Sequence, residues 1–244
     1  MSDEEQSLRI ELAACYRIFD MLGWTELIFN HISLRLPGDK PSLLINPFGL
    51  RYREVTASNL IKIDLEGNLI GDSDWPVNPA GSIIHTAIHR ARADVHAVMH
   101  THTTAGSAVA GLQGGLDGNN FYSAMLADQV SYHDFEGITL DPGEQERLVA
   151  DLGNRDILIL RNHGLLATGS TLAAAFFRLW TVDRACQLQM SMLSAGVPIV
   201  EVSRAARDRS TKDFLAQMAS DHAGVRVFEA LKREVDERDP SYRD

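Results

Sequence analysis

Residues 96–106 read HAVMHTHTTAG. The stretch is apolar through Ala97, Val98 and Met99 and bounded by polar residues, which is the pattern of a short buried strand. Residues two apart on a strand project to one face, so His100 and His102 point the same way while Thr101 points to the other. Two imidazoles therefore converge at a strand end. On this spacing alone they are equally compatible with two ligands of a metal ion and with ordinary core or surface histidines.

The segments on either side predict how that strand is framed. Upstream, SIIHTAIHRARA (82–93) places Ile84, Ala87, Ile88 and Ala91 at helical spacing. Before it, HISLRL (31–36) alternates Ile32, Leu34 and Leu36, and SLLIN (42–46) and NLIKID (59–64) are short runs bounded by Pro, Gly, Asp or Asn; these predict antiparallel strands. Leu8, Leu12, Cys15, Phe19 and Leu22 give an opening amphipathic helix, with Asp3 available as its N-cap. Downstream, PGEQERLVADLG (142–153) reads as a helix stopped by Gly153, and DILIL (156–160) as another buried strand running into RNHG. A long helix is predicted from Thr171 to Leu193 and a last one from about Lys212 to Val235, leaving a tail over about 236–244. Such irregular alternation predicts an α/β fold of stacked layers. With no linker, repeat or low-complexity tract, residues 1–244 read as a single domain.

Composition narrows the function. The chain of 244 residues is 45% hydrophobic and 23% charged, enough for a sizeable core, and its formal charge is −10. Binding to nucleic acid or to an anionic membrane surface needs basic patches and is not expected; a small-molecule partner remains. The start, MSDEEQSLRIELAACYRIF, is acidic where a signal peptide is basic, and no apolar run reaches the roughly 20 residues of a membrane span, so the cytoplasm is the expected location. The two cysteines, Cys15 and Cys186, fall inside predicted helices and are expected as buried thiols.

A catalytic metal site takes three protein ligands and keeps one position open. His163 follows the second buried strand in LILRNHGLLATG (158–169) and is the natural third ligand, with Gly164 giving the backbone freedom to turn. His85 and His89 lie four apart on one helix face with no evident carboxylate partner, so a solvated or interface face is expected for them. His96 is expected to be structural. His133, between Tyr132 and Asp134, has polar surroundings suited to the mouth of a site.

The segments NPAGSIIHTAIHRARADVHAVMHTHTTAGSAVAG (78–111) and ILRNHGLLATG (159–169), with GWTELIFNHISLRLPG (23–38) and LLINPFGLRYREVTASNLIKIDLEGNLIGD (43–72), resemble the class II aldolase/adducin family, nearer to its adducin-like branch. The resemblance implies a three-layer α/β/α sandwich with a mainly antiparallel central sheet. It also implies a divalent metal on His100, His102 and His163, zinc before iron, manganese or cobalt, and a homotetramer with the site near a subunit boundary. It places Gly81 where the sugar-phosphate aldolases carry a catalytic glutamate, and glycine transfers no proton. The phosphate-gripping loops of those enzymes correspond to Phe29 and Asn30, Phe48 and Gly49, and Pro79 and Ala80, of which only Asn30 and Gly49 keep the pattern. Asn30, Phe48, Gly49 and Gly81 are thus the candidate substrate-binding positions. Tyr122 falls near the tyrosine the aldolases use as proton donor and, with His133, is a candidate catalytic residue. Tyr242 and Arg243 lie where the C-terminal segment of a neighbouring subunit can reach the site, although a solvated tail is the plainer expectation.

With hydroxyls replaced by Phe, Pro and Ala, a phosphate is poorly served. The expected activity is metal-dependent cleavage of a carbon–carbon bond, by retro-aldol reaction or decarboxylation, in a small non-phosphorylated hydroxy- or oxo-carboxylate. The alternatives are a non-catalytic adducin-like module that keeps the metal for assembly, and an iron-dependent oxygenase on the same fold.

Overall fold

A computed structural model describes residues 2–38, 40–138, 141, 143–220 and 222–244. Helix α1 (Asp3–Leu22) buries Leu12, Cys15 and Phe19 and ends at Gly23, whose φ of 74° is the left-handed conformation that glycine adopts without strain. Its N-cap is Ser2 rather than Asp3: the Ser2 hydroxyl accepts from Glu5 N at 3.1 Å. Asp3 stands inside the first turn, where its charge meets the positive end of the helix dipole.

Strands β1 (His31–Leu36), β2 (Ser42–Ile45) and β3 (Ile61–Asp64) form an antiparallel meander. Helix α2 (Pro79–Ala91) leads into β4 (Ala97–Thr101), followed by α3 (Thr104–Ala110) and α4 (Phe121–Met125). Next come β5 (Val130–His133), α5 (Glu144–Leu152), β6 (Ile157–Leu160) and β7 (Gly164–Gly169), then α6 (Leu172–Ser194), α7 (Arg204–Met218) and α8 (Val225–Arg238). The seven strands make one sheet in the order β3-β2-β1-β4-β7-β6-β5. Every pairing is antiparallel except β5 with β6, which α5 joins as a crossover connection. The expected mainly antiparallel sheet between helical layers is what the chain forms.

The layers follow from the alternation along β4. Ala97 and Met99 enter the core shared with α1 and α6, whereas Val98 enters the core that Ile84 and Ile88 of α2 form with Leu148 and Leu152 of α5. By the same period of two, His100 faces the α2 side. Strand β1 pairs His31 with His100 and Ser33 with Val98, so these two polar residues also lie under α2.

Two expectations at the C-terminal end are corrected. The predicted single last helix is two, because Ala219 ends α7 and Gly224, at φ 68°, sets the entry to α8. The tail folds back on its own chain, with Tyr242 buried and most of the residues around it exposed. Tyr242 is 0% exposed, its hydroxyl donates to Asp236 at 2.5 Å, and Tyr242 O and Asp244 O accept from Ala57 N and Ser58 N at 2.8 Å. An aromatic ring that reaches its own core gains more than one left in water. Cys15 and Cys186 are buried free thiols.

Candidate metal centre

The sheet delivers His100 on the last turn of β4's pleat, His102 just past its end, and His163 from the turn between β6 and β7. Their Nε2 atoms lie 2.8 Å (His100 to His102), 2.8 Å (His102 to His163) and 3.3 Å (His100 to His163) apart. Further contacts fix the His100 ring and the backbone of the other two. His100 Nδ1 donates to Leu165 O at 2.9 Å, which leaves its Nε2 with a free lone pair. His102 N donates to Asn30 Oδ1 at 3.0 Å, and Asn30 Nδ2 is itself tied to Trp24 O at 2.8 Å. His163 O accepts from Ser107 Oγ at 2.8 Å.

The turn that presents His163 works differently from expectation. Asn162, at φ 53°, takes the left-handed position. Gly164 is required for space, since a Cβ there would stand 2.3 Å from Thr101 O and 3.0 Å from the His102 ring.

Burial pushes the His100 imidazole well below its ordinary range, lowers that of His102, and brings His163 down to about 4, with neighbouring imidazoles adding to the effect at His100 and His163. Three neutral imidazoles cannot all hydrogen-bond through one cluster of Nε2 atoms, because each has a single hydrogen and that of His100 is on Nδ1. A cation resolves the conflict: tetrahedral zinc sets its nitrogen ligands roughly 3.3 Å apart. The donor set therefore fits a divalent ion. Among the described residues, this is the group of three or more His, Cys, Asp or Glu side chains so gathered, and no fourth such ligand joins it.

Beside the cluster is a cavity of about 430 Å³ whose walls include Phe29, Phe48, Pro79, Ala80, Phe135 and Ile138. His31, His102 and His163 line it too. Asn30, Gly49, Tyr122 and His133 are not part of this lining. Asn30 is buried, its Oδ1 accepting from the His102 backbone and its Nδ2 donating to Trp24 O. Gly49, at φ 118°, turns the loop carrying Phe48, and a Cβ on it would stand 3.1 Å from the Trp75 ring. The Tyr122 ring packs edge-on against Trp180 and Phe121. His133 is buried at the end of β5 with Nδ1 2.7 Å from Asp151 and Nε2 3.4 Å from Glu144.

His85 and His89 are corrected outright: they are 0% and 1% exposed, not solvated. They face the polar stripe of β1, which carries the residue that sequence reasoning missed, His31. His31 Nδ1 lies 2.7 Å from His85 Nε2, His85 Nδ1 2.5 Å from Ser33 Oγ, and Ser33 Oγ 2.8 Å from His89 Nε2; His89 Nδ1 reaches Val95 O at 3.3 Å. A signal was present: His31 and Ser33 alternate with Ile32, Leu34 and Leu36, and His85 and His89 sit inside the apolar stripe of Ile84 and Ile88.

A profile of the class II aldolase and adducin N-terminal domain matches residues 10–190. The chain belongs to the class II aldolase and adducin family. Within that family it is similar to an aldolase II superfamily protein from Pseudomonas syringae (TM-score 0.94, 41% identity, 100% of this chain and 98% of that one). It is also similar to L-fuculose 1-phosphate aldolase from Glaciozyma antarctica PI12 (TM-score 0.86, 28% identity, 99% and 93%). Alpha-adducin of Mus musculus is 42% identical over 198 residues, 80% of this chain and 27% of that protein. Position 81 is closed to a side chain: a Cβ on Gly81 would stand 2.8 Å from Cδ2 of His31. The imidazole occupies the space that a side chain at position 81 would need.

Proposed function

We propose that the protein is a divalent-metal-dependent lyase that cleaves a carbon–carbon bond, by retro-aldol reaction or decarboxylation, in a small non-phosphorylated hydroxy- or oxo-carboxylate. The observation that carries this reading is the convergence of three Nε2 atoms, with no fourth protein ligand among the described residues, beside a largely apolar cavity. His100, His102 and His163 would hold the ion, zinc first, with iron, manganese or cobalt as alternatives. A bound divalent ion would supply a Lewis acid for the negative charge that develops as the bond breaks. Leu165 O aims the His100 ring, Asn30 fixes the backbone of His102, and Phe29, Phe48 and Phe135 give the cavity an apolar wall. Membership of the class II aldolase family supports the reaction class.

Absence of phosphate from the substrate rests on the same walls. Among the described residues no lysine or arginine lines the cavity, and Phe29, Phe48, Pro79 and Ala80 offer no side-chain donors. An unpaired dianion beside them would carry a large desolvation cost. The test is turnover by zinc- and manganese-loaded protein of fuculose 1-phosphate and ribulose 5-phosphate against aromatic and aliphatic hydroxy-carboxylates, read as aldehyde or carbon dioxide release. Rapid cleavage of either phosphate sinks the reading.

A second reading, a non-catalytic metal-binding module, is favoured by Gly81 and by the 42% identity to alpha-adducin. It predicts metal-dependent stability without turnover of any acid. We further propose a homotetramer with the site near a subunit boundary, supported by a cavity rim that leaves Phe29, Phe135 and Ile138 48%, 54% and 79% exposed. Light scattering that returns a monomer at micromolar concentration rejects this assembly.

A further inference from the structure

The hydrogen-bond chain behind the cavity has a direction. Val95 O can only accept, so the hydrogen of neutral His89 sits on Nδ1 and its Nε2 is bare. That Nε2 accepts the hydroxyl hydrogen of Ser33, whose oxygen is then free to accept from His85 Nδ1. His85 Nε2 is bare in turn and accepts from His31 Nδ1. One hydrogen per imidazole leaves His31 Nε2 bare. The opposite direction would set the lone pair of His89 Nδ1 against the carbonyl of Val95. His31, His85 and His89 are 3%, 0% and 1% exposed, and among the described residues no carboxylate bonds to any of them, so a charge on these rings would be buried without a partner.

His31 Nε2 makes no hydrogen bond among the described residues, and its ring lines the cavity beside His100, with ring centroids 4.9 Å apart. We infer that His31 Nε2 is a fixed hydrogen-bond acceptor in the cavity wall that selects ligands carrying a hydroxyl hydrogen next to the oxygen that meets the metal. A hydroxyl satisfies the lone pair. An oxo or second carboxylate oxygen in that place sets lone pair against lone pair, and a buried acceptor left unpaired is costly. Of the two classes proposed above, the structure therefore assigns the hydroxy-carboxylate, with an apolar or aromatic substituent lying against Phe29, Phe48 and Phe135. This rests on the reading that His100, His102 and His163 hold a divalent ion. It also gives Gly81 a role, since any side chain there would displace the ring that carries the acceptor.

Two measurements test it. In zinc-loaded protein labelled with ¹⁵N-histidine, two-bond ¹H–¹⁵N correlations should show His31, His85 and His89 all protonated at Nδ1 at pH 7; a hydrogen on His31 Nε2 overturns the inference. By calorimetry, R- or S-mandelate should bind the zinc-loaded protein at least tenfold more tightly than benzoylformate, which keeps the ring and carboxylate but replaces the hydroxyl by an oxo group. In His31→Phe that preference should fall to near one while zinc is retained. Equal or tighter binding of benzoylformate to the native protein, or binding of neither acid, overturns the ligand class, and the tautomer spectrum needs no variant that could fail to fold. Failure to take up zinc defeats the metal reading; zinc uptake with the wrong tautomer at His31 defeats this one alone.

Discussion

Three imidazoles converge in the candidate site, and removing any one leaves two nitrogens for an ion. Two ligands compete poorly with water for a divalent cation. His100→Ala, His102→Ala and His163→Ala should each copurify with less than about a tenth of an equivalent of metal by elemental analysis, and a full equivalent in any variant removes that histidine from the ligand set. At position 81 two effects oppose each other. Alanine favours a helix over glycine by about 1 kcal/mol, but the added methyl overlaps a ring pinned by its bond to His85, and such overpacking costs about 1–3 kcal/mol. Strain wins, so Gly81→Ala should lower the denaturation midpoint; placed on a His31→Ala background the same change should become neutral or stabilising. The three candidate ligand histidines were legible because the resemblance to a known family added to a strand's period of two and the NHG turn, which alone left their role open. His31 was not, because its importance depends on what α2 lays over it.

The element that most changes in meaning is α2. Periodicity identified the helix and its apolar stripe from Ile84, Ala87, Ile88 and Ala91, but not that His85 and His89 continue that stripe over the polar side of β1. Their partners come from a strand far away in sequence, which a helical wheel cannot reveal. Burial holds both neutral, with the His85 imidazole well below its ordinary range and that of His89 brought down to about 3. In the unfolded chain both titrate near 6.5, so below that pH the unfolded state binds more protons. The stability these histidines contribute is complete above about pH 6.5 and is lost as the pH falls toward 3, at up to about 1.4 kcal/mol per pH unit for each ring. Chemical denaturation of the metal-free protein should show this loss between pH 6.5 and 4.5, and His89→Gln should flatten the slope; a stability independent of pH across that interval contradicts the neutral assignment. The division of the last predicted helix was hidden for a related reason. α7 and α8 each bury only a few side chains, so little apolar periodicity marks where one stops.

Over the whole molecule, the C-terminal turn ties the last residues to the start of the fold. Tyr242 lies in the α1 core, and Asp239 pairs with Arg17 at 2.6 Å. Truncation of a buried aromatic ring costs about 3–5 kcal/mol, so Tyr242→Ala should destabilise by that order, whereas Tyr242→Phe, which loses only the bond to Asp236, should cost about 1 kcal/mol. Equal effects of the two in urea titrations would show that the ring contributes little. Sequence spacing marked β1, β2, β3, β4 and β6, and the family resemblance implied a mainly antiparallel sheet, but β5, β7 and the order in which the strands join were not legible, because β1, β4 and β7 are neighbours only through long-range pairing. That order has a consequence during synthesis on the ribosome. β4 can dock on β1 as soon as it emerges, yet its other edge, bearing His100 and with His102 just beyond, stays open until residues 164–169 have been made. An open strand edge invites pairing with other chains. Ions or nascent chains that meet the protein in that interval encounter a two-histidine half-site on an unpaired edge, and β7 closes both openings in one step as it brings His163 into place.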